Sequence, residues 1–563
     1  MNTELFGVFG DEEVFAAHRS PDEFDELLAG EGITVGIADD ALGVRGRTDV
    51  FRSSAGICVV FGEAFPRGTM SESVSIAEWL FEQYVREGLS AFDRLNGSFL
   101  AVVEHDDRAV VVPDQLSTWE CFYTDDPGVR VFGTDAAAVT RTVREPTVDR
   151  RTLCEFVHFS VTFGERTATE EVSRTPFDSC LTGRGVVDLD RFVYAPRKAD
   201  HVEELAGRLR RAIERRATYP GRQGFLMSAG YDSRIMLSFL PNVERGYTLG
   251  SPESSEVRVA RALCEQYGVD HRTLPVDDRY YEVSDRTLQY TQGIRESLHI
   301  HHRGNTEDID ADVIYHGLMF DTLLRGFYLP KDGVSLFGKR FPRSRLDPDP
   351  DPAGFFWNRF GCFHEGDRLI VDCESTDAET PQEFFLESMK PQYEACLERA
   401  DGSVYNAMSM LGLVLKVPLP FRVQLADRFT ESFVAVDAEL VDWHLTTPPE
   451  HRNDRTYQRA LERLDGDIFR HRPPDRPYRS YQLNQIEKFL RRVVPGLTPF
   501  ETPWPDWQRR YAEMGMDDRL FPGRTDIHGL PPRIKLRLYD ALRWTEYATD
   551  TTIDETSELI RLT

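Results

Sequence analysis

The chain has no CxxC pair. Its eight cysteines stand apart at 58, 121, 154, 180, 264, 362, 373 and 396, so neither a zinc ribbon nor a disulfide framework is indicated, and most read as small buried hydrophobes. Long apolar runs are missing too: LGLVLKVPLPF at 411–421 is broken by Lys416 and prolines and falls short of the roughly 20 residues a membrane span needs. The start shows no basic and then apolar signal. A soluble cytoplasmic protein with no membrane partner is therefore expected. Positive charge is scarce: 94 Asp and Glu face 67 Lys and Arg, a net charge of −27. That excludes nucleic acid as an expected partner, because phosphate backbones need concentrated positive charge.

Only 7 of the 67 cations are lysine, and the acidic residues are spread along the chain rather than gathered in a tail. This combination resembles proteins of salt-accumulating microbes, whose acidic surfaces stay soluble when charge is screened. It reports habitat rather than chemistry. At 563 residues the chain exceeds one core, and its rhythm changes near residue 200. Before that point short apolar runs alternate with turns (LFGVFG, AGICVVFG, SFLAVVEH, AVVVPD, RVFGTD), around one helical interval at 73–88 that sets Ile76, Trp79, Leu80, Tyr84 and Val85 on one face. This predicts a layered α+β domain over 1–195. From 201 strands and helices alternate, as in an α/β parallel sheet that binds ligands at the carboxyl ends of its strands. RSRLDPDPDPAG at 343–354 reads as a loop or insertion, and the remainder to 563 as helical.

GFLMSAGYDSRIMLSFL, residues 224–240, carries the sharpest signal. An apolar strand stops at Ser228-Ala229-Gly230-Tyr231-Asp232-Ser233 and resumes with helical spacing. Such a turn points backbone N–H groups and a helix dipole at one place, as a phosphate site does, and its glycine allows positive φ. An aspartate there would repel the phosphate, so Asp232 makes sense as a ligand of Mg²⁺ carried in by a nucleotide. The alternative is an ordinary strand–turn–helix connection capped by Asp or Ser.

SAGYDS resembles the SGGxDS pyrophosphate loop of N-type ATP pyrophosphatases, and its surroundings resemble the asparagine synthetase family. YTLGSPESSEVRVARALCEQYGVDHRTLPV is similar to that family's following strand, helix and strand, with Leu249 and Gly250 where the adenine is held. IYHGLMFDTLLRGF at 314–327 stands in place of SGxGxDExxxGY, and VAVDAELVDWHLTTPPEHRNDRTYQRAL at 434–461 in place of a later family segment. In the first half VVFGEAF, RLNGSFLAVVEHD, PDQLSTWECFYTDD and VFGTD resemble that family's glutaminase motifs, and HRSPDEF its glutamine-site loop.

The resemblance implies an N-terminal-nucleophile-like layered domain at 1–195 and, at 201–563, an ATP-pyrophosphatase domain with a helical C-terminal part. ATP and Mg²⁺ would be held by Ser228, Ala229, Gly230, Tyr231, Asp232, Ser233, Leu249, Gly250 and Gly317, with Asp232 and Asp321 as metal ligands. Asp321 and Arg455 would be catalytic, Arg455 standing where the family has a lysine. The chain departs from the pattern at two places. It begins Met1-Asn2-Thr3-Glu4 without the cysteine nucleophile of a glutaminase, and Leu318 and Thr322 replace the two glutamates of SGEGADE.

An AMP-forming ligase that activates a small-molecule carboxylate and joins it to an amine or ammonia, without glutaminase activity, is the leading expectation. A degenerate nucleotide-binding scaffold is the second, and a conventional glutamine-dependent synthetase conflicts with Asn2 and Leu318. A homodimer is left open. The group His299, His301 and His302 reads as a metal site or a helix end facing the substrate cleft. His316 reads as a proton acceptor or as a packed, hydrogen-bonded histidine.

Overall fold

The computed structural model describes residues 2–68, 70, 71, 73–106, 108–124, 129–281, 284–299, 305–336, 339–360, 369, 370, 376, 378, 380–417, 419–501, 506–550, 561 and 562. Two six-stranded antiparallel sheets use strands from residues 4–188. One runs Val172–Arg174, Phe122–Thr124, Val131–Gly133, Glu4–Val8, Thr34–Ala38, Glu26–Ala29; the other runs Gly185–Asp188, Ser179–Thr182, Arg108–Pro113, Leu95–His105, Gly56–Pro66, Asp49–Ser53. The continuous apolar run of Gly56–Pro66 follows from burial on both faces. Ile57, Val59 and Phe61 face Leu5, Val35 and Ile37 of the other sheet, while Cys58 and Val60 pack outward on Leu80 and Phe81.

Those outward contacts come from the helix Ile76–Glu87, started by Ser75, whose side chain accepts from the Glu78 amide. On the far side Phe15, from the helix Glu12–His18, packs on Phe6 and Val8. The layers thus run helix, sheet, sheet, helix. The expected face of Ile76–Glu87 needs one correction: Phe81 is buried and Val85 is 45% exposed, because 85 lies one residue beyond the buried Tyr84 and so turns about 100° away from it on a helix.

The second architecture is a five-stranded parallel sheet in the order Asp270–Leu274, Val243–Leu249, Gln223–Leu226, Val313–Tyr315, Thr430–Ser432. Four strands fall where the sequence rhythm places them. The fifth, Thr430–Ser432, lies in the stretch expected to be helical. The stretch read as a loop at 343–354 also differs: Lys331–Leu336 and Lys339–Leu346 form an antiparallel hairpin and Pro352–Phe360 a helix.

Buried charge joins the halves. Arg216 is fully buried and its Nε lies 3.1 and 3.0 Å from the Glu63 carboxylate oxygens. Its Nη1 donates to Asp437 at 2.6 Å, and Asn96 donates to the same carboxylate at 3.1 Å. Such paired, hydrogen-bonded charges tolerate burial, whereas removing one partner leaves the others stranded. Among the described residues no single helix is long and apolar enough to cross a membrane.

Candidate functional site

The turn Met227–Gly230 lies at the carboxyl end of the central strand Gln223–Leu226 and leads into the helix Tyr231–Leu237. Ser228 and Ser233 close it: their hydroxyls lie 2.9 Å apart, Ser228 N donates to Ser233 Oγ at 3.2 Å and Gly230 N to Ser228 Oγ at 3.2 Å. A cleft opens beside it, lined by Leu226, Met227, Leu249 and Phe421 on its apolar part and by Ser228, Asp232, Ser233 and Glu256 on its polar part.

Two sequence expectations are corrected here. The first three loop amides are engaged: Ala229 N donates to Glu256 Oε1 at 2.7 Å, and those of Ser228 and Gly230 go to the serine hydroxyls. Gly230 has φ −69°, so no positive φ is used. Close approach does matter at Gly317, where a Cβ would stand 2.8 and 2.9 Å from the carbonyl carbon and oxygen of Asp232 and 2.9 Å from Ser233 N. Tyr231 is buried with its ring 5.2 Å from that of Phe469, and Gly250 donates its amide to Leu274 O at 3.0 Å; neither lines the cleft.

Asp232 faces a cation of the protein itself. Arg325 Nη1 lies 3.0 and 2.7 Å from its two oxygens, and Arg325 Nε lies 2.6 Å from Asp454. Burial pushes the Asp232 carboxyl up, with Arg325 pulling the other way. For Asp454 burial is outweighed by Arg325, Lys331 and Arg476, which hold it down at about 2. Between these carboxylates the Arg325 guanidinium, although burial opposes it, is held well above its ordinary pKa.

Asp321 has Oδ2 3.5 Å from Lys416 Nζ and Oδ1 accepting from Thr322 Oγ1 at 3.1 Å. The residues present therefore do not fit a divalent cation bridging Asp232 and Asp321. Arg325 already takes both oxygens of Asp232, and Lys416 lies beside Asp321.

Arg455 is exposed in the first turn of the helix Asp454–Leu464, and its neighbour Asp454 is the residue turned inward. Sequence reasoning singled out neither Arg325 nor Glu256. The charged residue inside the otherwise apolar TLLRGF was the available signal for Arg325. His316 Nε2 lies 2.6 Å from Glu431, and Leu318 N donates to His316 Nδ1 at 3.4 Å, which places the ring proton on Nε2. Both nitrogens are engaged, as in the packed reading. Glu431 in turn pairs with Arg422 at 3.2 Å, which donates to Thr118 O and Ser98 Oγ of the first half at 2.7 and 2.5 Å. His301, His302 and the side chain of His299 lie outside the described residues.

No family model matches the chain, and no curated protein matches it. Among solved structures it is similar to the glutamine phosphoribosylpyrophosphate amidotransferase from B. subtilis complexed with ADP and GMP, at 10% identity over 55% of this chain and 68% of that one, TM-score 0.21. It is also similar to an allosteric regulatory enzyme of purine biosynthesis, at 11% identity over 57% of this chain and 75% of that one, TM-score 0.22. At such TM-scores the likeness carries no argument. The class is set by the fold alone: a layered α+β half joined to an α/β half with a cleft at the carboxyl end of its central strand.

Proposed function

We propose that the cleft beside Ser228–Ser233 binds the phosphate chain of ATP and that the chain is a carboxylate-activating, AMP-forming ligase of asparagine synthetase type without glutaminase activity. The observation that carries this reading is the strand–turn–helix at 223–237, set at the carboxyl end of a central parallel strand beside an apolar wall suited to a base. The helix–sheet–sheet–helix layering of the first half supports an N-terminal-nucleophile-like domain over 1–195, followed by the α/β domain over 201–563. The six described cysteines are buried, and burial pushes the Cys58 thiol well above its usual range and Cys121 to about 12, which is unlike a nucleophilic thiolate.

In the reaction proposed, a carboxylate oxygen attacks the α-phosphorus and the bond to pyrophosphate breaks. An amine nitrogen then attacks the acyl carbon, AMP departs and the amine proton passes to solvent. The chain's own contribution is electrostatic. An incoming phosphate chain competes with Glu256 for the Ala229 amide and with Asp232 for Arg325, so two positions for an anion are held by the protein's own carboxylates until ligand arrives.

A second reading, a nucleotide-binding protein without catalysis, is favoured by that same self-occupancy and by Leu318. Pyrophosphate release separates the two. The full chain, kept in high salt, is given ATP and a panel of amino acids, sugar acids and peptide-like acids, with adenylates followed by mass spectrometry. Pyrophosphate with an acyl-adenylate establishes the ligase; ATP binding with neither signal for any acid leaves the binding protein.

A further inference from the structure

A second cleft is lined by Asp321, Arg325, Phe327, Lys331, Phe355 and Arg359 among others. Arg359 is held there as a flat plate. Its guanidinium carbon lies 4.2 Å from the Phe327 ring centre, 4.6 Å from that of Phe355 and 5.4 Å from that of Tyr328, while Nη2 donates to Phe327 O at 2.7 Å. Among the described residues no carboxylate comes within ion-pair distance of it, unlike Arg325, Arg216 and Arg422. Stacking on rings fixes the plane of a guanidinium and leaves its edge donors to recognise an oxyanion.

The composition of this place is unusual for the chain. Two of only seven lysines stand here: Lys331, 3.9 Å from Asp454, and Lys416, 4.4 Å from the Phe327 ring centre. Three cations, Arg325, Lys331 and Arg359, line the cleft with the carboxylates Asp321 and Asp454, in a protein of net charge −27. A half-buried guanidinium stacked on rings and not ion-paired among the described residues is arranged for an anion from outside.

We propose that this second cleft binds the carboxylate or phosphate oxyanion of a small molecule, with Arg359 and Lys331 as its ligands. The argument stands on this cleft and does not need ATP at the first one. The full chain is titrated calorimetrically with succinate and, separately, with inorganic phosphate, in the salt that keeps it folded. Saturable one-to-one binding of at least one probe is expected: succinate alone marks a carboxylate ligand, phosphate alone a phosphorylated one.

Arg359→Gln and Lys331→Gln should each weaken that binding about tenfold, the worth of one charge-assisted hydrogen bond. Arg359→Lys should fall between Arg359→Gln and the wild type, and Arg509→Gln, which removes a cation elsewhere on the surface, should bind as the wild type does. Should Arg359→Gln not fold, the Lys331→Gln result decides. No saturable binding of either probe, or wild-type affinity in the folded cleft variants, overturns the proposal. Loss of ATP binding with the oxyanion site intact would count against the nucleotide reading alone.

Discussion

Arg325 grips Asp232 through both carboxylate oxygens, at 3.0 and 2.7 Å, and reaches Asp454 at 2.6 Å with its Nε. A guanidinium thus stands where the loop sequence suggests a divalent metal, and its charge does not depend on ions in solution.

Chelating magnesium should therefore change ATP affinity by less than about threefold, well under the tenfold that 1.4 kcal/mol represents. Arg325→Ala frees Asp232 and leaves it near Asp321, so in that variant affinity should become metal-dependent. Calorimetry with and without EDTA checks both statements. A wild-type protein that binds ATP only with magnesium would show that the metal displaces Arg325.

Glu256 faces the loop as a carboxylate on the Ala229 amide, 2.7 Å away. Replacing it with glutamine keeps the acceptor and removes the charge, so Glu256→Gln should tighten ATP binding about tenfold, or ~1.4 kcal/mol. Burial pushes the Glu256 carboxyl above its ordinary range. Wild-type affinity should accordingly rise as pH falls through that raised pKa and the repelling charge disappears, and the variant should lack this rise. Weaker binding by Glu256→Gln at neutral pH would mean that the carboxylate serves the ligand rather than repelling it.

The loop was legible in the sequence because its chemistry is local. Ser228 and Ser233 act within five residues of one another, and four parallel strands announce themselves as short apolar runs between helical ones. Arg325 was not legible, because its partners Asp232 and Asp454 lie 93 and 129 residues away. No local pattern marks such a pairing. Arg455 shows a second limit: the sequence does not say which of two neighbours at a helix start faces inward, and here Asp454 does. The strand Thr430–Ser432 escaped notice because three residues carry little periodicity, and its place in the sheet comes from pairing with Val313–Tyr315.

Gly317 is where the loop has least room. A methyl group there would meet backbone atoms of Asp232 and Ser233 at 2.8–2.9 Å, and backbone yields less readily than a side chain end. Gly317→Ala should destabilise the protein by about 1–3 kcal/mol, the usual range for overpacking, and should weaken ATP binding by displacing the turn. Ser228→Ala should weaken binding with a smaller loss of stability, since it removes the hydroxyl that holds Gly230 N without adding bulk. Denaturant unfolding and calorimetry on both variants test this. Unchanged stability and affinity in Gly317→Ala would show that the contact between 317 and the turn relaxes without consequence.

Asp454 gives the last prediction its sign. Its carboxyl is depressed from 3.8 to about 2, because Arg325, Lys331 and Arg476 outweigh the burial that opposes them. It also begins the helix Asp454–Leu464, where a negative charge meets the positive end of the dipole. A carboxyl depressed on folding stabilises the native state above its unfolded pKa, and that contribution fades as pH falls through the folded value. The shift corresponds to about 2 kcal/mol at neutral pH, present above pH ~4 and lost by pH ~2. Burial acts on Asp232 in the opposite direction, so the test must isolate Asp454. Asp454→Asn should be less stable than the wild type at pH 7, and the gap should shrink toward zero between pH ~4 and ~2. Urea unfolding of both proteins across that range, at constant high salt, measures the gap directly. A gap that stays constant with pH would mean that the aspartate acts through packing and capping, and not through its charge on Arg325.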